Sequence, residues 1–473
     1  MVPSYSHAGD NRSKPGTTEM PLEPLASNLT SALLGAASAA ALGGFLFGFD
    51  TIVMSGCQEQ LKALFNLSGF QQGFMTASAL IGASIGALAA AKPGDFFGRR
   101  DSLRVVGAFY LIGAMGCALS WNFWLFVACR VIGGLAVGAT TVLCPMYLAE
   151  ISPATWRGRL VACFQFNVVL GCLMAVFSNY VIGLLNLGAT EWRWKLGVQA
   201  VPSLAFLVLL FFIPRSPRWL VMKGAFAEAA AVLSATGNRE ADAEVAAIQR
   251  SLREDGNGNS APLFVKRHLR PIFLACTVGF FNQFDGINAL WYYLNPIFTM
   301  AGFTKLSGDL QSVMLGLANL IATIVGMTII DRVGRKPLLL WGAIGTGAFM
   351  GLVAWVFSGS QHHAWLVFLL AGFVVCHAFG QGAVVWVYIS EVFPNAVRSK
   401  GQTVASFTVW FSAMVISWVF PMVAKQAGQP NGGLPFAFFA GMMVVQAILV
   451  WTFFPETKLV ALEDIQRQLR TTP

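Results

Sequence analysis

Asp50 and Arg130 stand inside long apolar runs of this 473-residue chain. An ionised side chain among membrane-spanning residues costs at least a few kcal/mol, so such groups are normally paired and functional. Arg130 favours the ionised form of Asp50, and protonation of that carboxylate would release the guanidinium. A carboxylate that changes partner with its proton is the chemistry of proton coupling. The alternative is a static ion pair that ties two helices together. Asp285 is a third ionisable group in an apolar run. Asn282, Asp285, Asn288 and Tyr292 follow three- and four-residue spacing and share one helix face, which should look into a polar interior rather than toward lipid. Gly286 is expected to break the helix and let water or backbone groups solvate the acid. A solvated lining carboxylate and a second titrating site are both open readings.

Other charges come in duplicate. Asp95-Phe-Phe-Gly-Arg99-Arg100 returns as Asp331-Arg-Val-Gly-Arg335-Lys336, and Glu150 with Arg157 returns as Glu391 with Arg398 at the same spacing. The offsets are 331 − 95 = 236 and 391 − 150 = 241 residues. Charge motifs repeated at that distance between apolar runs mark a transporter of two related halves. Topology alone needs no acids at repeated spacing. These charges are therefore expected to form a gate, with pairs that bridge the halves, hold one side shut and break to open it.

Such groups need helices to hold them. With 56% hydrophobic and 11% charged residues, the composition excludes a soluble globule, whose charged share is about a quarter. Twelve apolar stretches are long enough to span a bilayer. They lie near 30–56, 70–91, 102–121, 123–148, 160–186, 194–213, 270–300, 308–330, 337–358, 364–389, 402–424 and 434–454. The predicted fold is an all-α membrane protein of two six-helix bundles, 29–215 and 268–458, joined by a helical linker over 216–267. Residues 1–28 lack an apolar signal core and read as a disordered tail, and 459–473 as a short one. Basic residues crowd the connections after the even-numbered spans, which predicts both termini inside. The net charge of +9 is then a topology signal and not a nucleic-acid footprint. The eight cysteines lie in or beside apolar spans without metal spacing and read as small buried hydrophobes. His7, His268, His362, His363 and His377 assemble no constellation with a nucleophile or metal. No enzyme, cofactor or metal is expected, and packing is the expected role of His377.

Further motifs follow in order: Gly44-Phe-Leu-Phe-Gly-Phe-Asp50, Arg130-Val-Ile-Gly-Gly, Pro145-Met-Tyr-Leu-Ala-Glu-Ile-Ser-Pro153, Trp192-Arg-Trp194, Gln283-Phe-Asp-Gly-Ile-Asn288, Trp386-Val-Tyr-Ile-Ser-Glu-Val-Phe-Pro394 and Pro455-Glu-Thr-Lys458. Together they resemble the sugar porter family of the major facilitator superfamily over about residues 30–460. The resemblance implies two bundles around a central sugar site exposed alternately to each side, in a plasma membrane of bacterial inner-membrane type. An aspartate at position 50 is similar to bacterial sugar–proton symporters, whereas mammalian glucose facilitators carry asparagine there. The expectation is a monomeric, proton-coupled monosaccharide importer, with a facilitative uniporter and a membrane sugar sensor as rivals.

By the same resemblance, the sugar-binding set is Gln165, Asn282, Gln283, Asn288 and Asn319, with Phe47, Trp386 and Trp410 as aromatic members. Amides suit sugar hydroxyls because each both donates and accepts. The bland reading is hydrogen-bond glue between helices. Tyr292 and Tyr293 are expected to help close the outer mouth. Several positions depart from the family pattern: Asn282 stands for a second glutamine, Cys172 for an amide, Ala383 for a proline, and Gln381 adds an amide between glycines. Arg215 occupies the place of an acid that the other half keeps as Glu456, so it is expected to face Arg99, Arg100 and Arg157 and make the gate lopsided.

Overall fold

A computed structural model describes residues 30–258, 262–359, 365–394 and 397–458. The tails 1–28 and 459–473, His7, His362, His363 and the side chain of Asp331 lie outside the described residues. No strand occurs among the described residues.

The first five spans are continuous helices: Ser31–Val53, Gly69–Ala89, Arg99–Leu119, Phe123–Ile151 and Ala154–Leu184. Their starts are written locally. Thr30 and Asn122 accept from the backbone N–H groups of Leu33 and Leu125, and Ser68 with Gln71 forms a capping box before the second span. The sixth span is broken into Glu191–Gly197 and Ala200–Leu209. Pro202 has no N–H for the Val198 carbonyl, which accounts for the interruption. Short helices Pro217–Met222, Phe226–Ala235 and Ala241–Gly258 follow, packed on one another through Leu220, Ala229, Leu233 and Val245.

The seventh span is broken twice, into Leu269–Phe284, Ile287–Tyr292 and Leu294–Met300. Gly286 turns the first break at φ 95°, where only glycine is unstrained, and a Cβ there would meet the Phe439 ring at 2.5 Å. Pro296 accounts for the second break, since it cannot donate to the Tyr292 carbonyl. The eighth and ninth spans, Lys305–Val333 and Arg335–Ser358, are continuous. The tenth runs Leu366–His377, loosens into a π-helical turn at Ala378–Gly382, and resumes as Ala383–Glu391. Arg398–Asn431 and Leu434–Phe453 complete the set. Ten spans are thus long, apolar helices, and the two broken ones make twelve. Large apolar side chains such as Val201, Phe212, Trp341 and Trp451 lie exposed on these helices, as a lipid-facing belt requires.

We term the end of the bundle carrying Thr30 and Lys458 the tail face, and the other end the far face. The halves meet toward the far face. The Trp418 ring packs on Phe70 and Phe74 at 5.4 and 5.2 Å, and Gly316 lies against Leu173 and Val176. Tyr292 and Tyr293 are buried there, and Tyr293 donates to the Ser417 carbonyl at 2.9 Å. Not every cysteine is buried: Cys163 is exposed, and Cys276 and Cys376 are half-buried.

Candidate functional site

Asp50, near the far end of the first span, is buried against the fourth. Arg130 donates from Nη1 to Asp50 Oδ1 at 2.9 Å, and Gln199 Nε2 donates to the same oxygen at 3.2 Å. The guanidinium is underused, since its Nε and Nη2 have no hydrogen-bond partner. The Gln199 amide comes from the break in the sixth span, which turns it inward. A cavity of about 10 Å3 adjoins the pair, lined by Cys117, Gly133, Leu196 and Gln199 among others. That space admits at most one water and excludes a sugar ring. Asp50 therefore has no space beside it for a carbohydrate.

The amides of the seventh span gather around its first break. Gln283 Nε2 donates to Asn282 Oδ1 at 2.7 Å, and Asn288 Nδ2 donates to Gln283 Oε1, so the break folds Asn288 back onto the preceding turn. Phe47 of the first span meets Trp410 of the eleventh edge-on at 5.4 Å, across the two halves. The indole Nε1 of Trp410 is buried without a partner. Gln165 is half-buried on the fifth span, Asn319 is buried on the eighth, and Trp386 on the tenth is 37% exposed. Gln381 is fully buried in the π-helical turn and donates to Gln446 of the twelfth span.

Asp285 does not line a solvated cavity. It is 0% exposed, and its Oδ2 lies 2.5 Å from His377 Nδ1 while Oδ1 accepts from the Ile287 N–H at 2.9 Å. The break at Gly286 does supply a backbone group to the acid, as expected, but the seventh span's first segment turns the carboxylate to the tenth span instead of inward. His377 correspondingly pairs with an acid and does more than pack.

On the tail face, the ion pairs seen among the described residues of the repeated motifs lie within one half, and not across the two as the repeat predicts. Arg99 bridges Glu150 at 2.9 Å and Asp95 at 3.1 Å, and Ser216 donates to Glu150 Oε2 at 2.5 Å. In the other half Arg335 bridges Glu391 at 2.9 Å, and Thr457 donates to Glu391 Oε2 at 2.6 Å. Glu456 adds a cap, accepting from the backbone N–H groups of Arg335 and Lys336 at 2.9 and 3.0 Å. Lys336 reaches the Trp451 carbonyl, Arg157 is exposed, and Arg398 is half-buried. Arg215 is not left facing cations alone. It lies 3.8 Å from Asp101, which also binds Arg100 and Arg104, and it stacks on Trp219. Asp101 lies just outside the repeated motif, so the repeat gives no sign of it.

Charge pairs that cross between the halves stand toward the far face. Lys195, 0% exposed in the sixth span, binds Glu191 at 2.8 Å and reaches Asp309 of the eighth at 3.7 Å. Lys305 closes the set on Glu191 at 2.8 Å, and Asn295 donates to Asp309 at 2.5 Å.

Comparison with known proteins fits this architecture. Residues 36–469 match the family model described as sugar (and other) transporter. The chain is 33% identical over 461 residues to the D-xylose-proton symporter of Escherichia coli, covering 90% of this chain and 94% of that one. It is 33% identical over 439 residues to the arabinose-proton symporter of Bacillus subtilis, covering 91% and 93%. A partially occluded inward-open structure of the xylose transporter XylE from E. coli overlays with a TM-score of 0.82 at 32% identity, covering 91% of this chain and all of that one. The chain belongs to the sugar porter family.

As a sugar porter of the major facilitator superfamily, the protein is a multi-pass membrane transporter and not an enzyme. Three parts of this porter escaped sequence reasoning. Gln199 carried a signal, as an amide in an apolar run shortly before a proline. Glu191 and Lys195 stand four apart, the spacing of a helical ion pair, but their partners Lys305 and Asp309 lie in the other half. For His377 the available signal was the unmatched acid at Asp285.

Proposed function

We propose that this sugar porter imports a monosaccharide, a hexose or pentose, by alternating access across a plasma membrane of bacterial inner-membrane type, and that protons drive it through Asp50. In this reading the tail face is cytoplasmic, the protein works as a monomer, and the moving bodies are residues 29–215 and 268–458. The observation that carries the coupling is the buried Asp50–Arg130 pair beside a cavity too small for sugar. Protonation of Asp50 removes its charge from Arg130 and Gln199 together. Breaking a buried pair changes energy by about 3–5 kcal/mol, enough to reverse a two-state equilibrium. The amides Gln165, Asn282, Gln283, Asn288 and Asn319 supply sugar hydroxyls with partners, and Phe47, Trp386 and Trp410 supply apolar faces. The repeated tail-face charges act as the cytoplasmic gate, each cluster moving with its own half.

The test is substrate-induced pH change in proteoliposomes, screened over hexoses and pentoses. The wild type is expected to take up a proton with its sugar. Asp50→Asn is expected to lose uphill accumulation while keeping exchange. Accumulation against a gradient in that variant would remove proton coupling through Asp50, whereas a wild type that equilibrates its sugar without a pH change would leave facilitated uniport as the surviving function.

A further inference from the structure

We propose that Asp285 and His377 form a second proton-holding pair, one that positions the amides at the break of the seventh span. This rests on the reading of those amides as the sugar site. The carboxylate uses both oxygens. Oδ1 accepts from Ile287 N–H at 2.9 Å and so fixes the start of the helix that carries Asn288. Oδ2 meets His377 Nδ1 at 2.5 Å. The imidazole closes the upper turn of the tenth span, immediately before the π-helical segment Ala378–Gly382, and its ring lies 3.6 Å from where a Cβ on Gly382 would stand. One carboxyl–imidazole contact therefore joins the two irregular helices of the C-terminal half at their irregular points. Trp386 stands one turn further along the tenth span, and the relay Asn282–Gln283–Asn288 straddles the break in the seventh.

The proton follows from charge balance. No lysine or arginine occurs between Arg270 and Lys305, Lys305 and Arg332, Lys336 and Arg398, Lys400 and Lys425, or Lys425 and Lys458. The interiors of all six spans around the pair thus hold no permanent cation. Their other ionisable side chains are Cys276, Tyr292 and Tyr293 on the seventh span, Asp309 in the far-face end of the eighth, where Lys195 and Asn295 hold it, and Cys376 and Tyr388 on the tenth, none of them a cation, and the interiors of the ninth, eleventh and twelfth contribute none. A buried carboxylate without a counter-charge is among the costliest groups in a membrane. Asp285 becomes neutral in sum only with an imidazolium opposite it, or with the proton on Oδ2 and a neutral ring. Either arrangement contains the same number of protons. Loss of one leaves a net anion, weakens the hold between the tenth span and the break, and frees Asn288 from its place. Asp285 is fully buried whereas the His377 side chain is 11% accessible, so the proton enters and leaves at the imidazole. Asp285 and His377 are positioning residues in this scheme, acting on the sugar through Gln283 and Asn288.

The experiment is calorimetric binding of D-xylose, L-arabinose and D-glucose to the purified full chain from about pH 5 to about pH 10. The wild type should show a one-proton step in affinity that weakens binding on the alkaline side. Asp285→Asn keeps an acceptor for Ile287 and an amide opposite the imidazole, and should remove the step. Asp285→Ala loses the acceptor as well and should bind roughly ten-fold more weakly than Asp285→Asn. His377→Phe alone strands the acid and is expected to express poorly, whereas Asp285→Val with His377→Phe should restore a folded protein that lacks the step. With Asp50→Asn in every chain compared, so that the proposed coupling site adds no step of its own, a step that survives in Asp285→Asn, or equal affinities of the Asn and Ala variants, overturns the proposal. A second arm needs no sugar. In spectra of nitrogen-labelled histidine, the His377 signal, identified by its loss in His377→Gln, should move in Asp285→Asn. An unmoved signal denies the pair, whereas a moved signal with none of the three sugars bound denies the sugar site and leaves the pair standing.

Discussion

The charge set toward the far face offers the most direct perturbation of the transport cycle. Asp309→Asn preserves shape and keeps an oxygen to accept from Asn295, so it removes little except the attraction of Asp309 for Lys195 across the halves. Lys195 is not stranded by the change, because it remains bound to Glu191 within its own half at 2.8 Å. At 3.7 Å the lost Coulomb attraction is about 4–5 kcal/mol for an effective dielectric constant near 20. The charged pair also had to be stripped of water on closure, and the neutral amide does not. The net shift toward the far-open state should therefore be about 1–3 kcal/mol, or roughly 5- to 150-fold in the ratio of states. Lys305→Gln serves as an internal contrast. Lys305 also crosses between the halves but is 46% exposed, so its loss should shift the ratio by less than about 1 kcal/mol. Spin labels introduced through unnatural residues at the exposed positions Trp121 and Leu434 would report the distance between the halves at this face. If Asp309→Asn leaves that distribution unchanged, or Lys305→Gln moves it equally, burial does not set the strength of the latch and the reasoning fails.

Two further variants test other parts of the description. Gln283→Ala should weaken binding of the preferred sugar in the hexose and pentose screen by about 1–3 kcal/mol, since it leaves a hydroxyl and two neighbouring amides unpaired; wild-type affinity by calorimetry would return Gln283 to a packing role. Glu456→Ala should lower the thermal midpoint by the equivalent of about 1–3 kcal/mol, because the ninth span loses the carboxylate that caps Arg335 and Lys336. An unchanged midpoint would mean that water replaces this cap without loss.

Much of this arrangement is legible in the chain because charges are scarce. Asp50 and Arg130 stand out in apolar runs, and each is the other's partner in space. The span count is legible because length and hydropathy suffice for it. The breaks are less so: Gly286 signals one, but a hydropathy window does not weigh Pro202 and Pro296, and nothing local marks the π-helical turn at Ala378. Pairings between distant segments are the least legible. His377 lies 92 residues from Asp285, and a lone imidazole in an apolar run has no visible reason to be more than packing. Asp309 becomes a partner of Lys195, and Glu191 of Lys305, only where the two halves approach. For Arg215 the repeat points only to cations, because Asp101 stands just outside it.

The self-contained charge clusters also bear on the order of assembly. Asp50, Arg130 and Gln199 all precede the short helices between the halves, as do Arg99, Glu150 and Ser216 and the pair Glu191 with Lys195. A nascent chain emerges N-terminus first, and domains generally fold as units. The first half can satisfy each of these groups before any residue of the second has left the ribosome, so no buried charge waits in the bilayer for a partner not yet made. Asp309 and Lys305 arrive later, to a surface on which Glu191 and Lys195 are already set. The latch therefore forms only when the second half docks on a first half whose own charges are already paired.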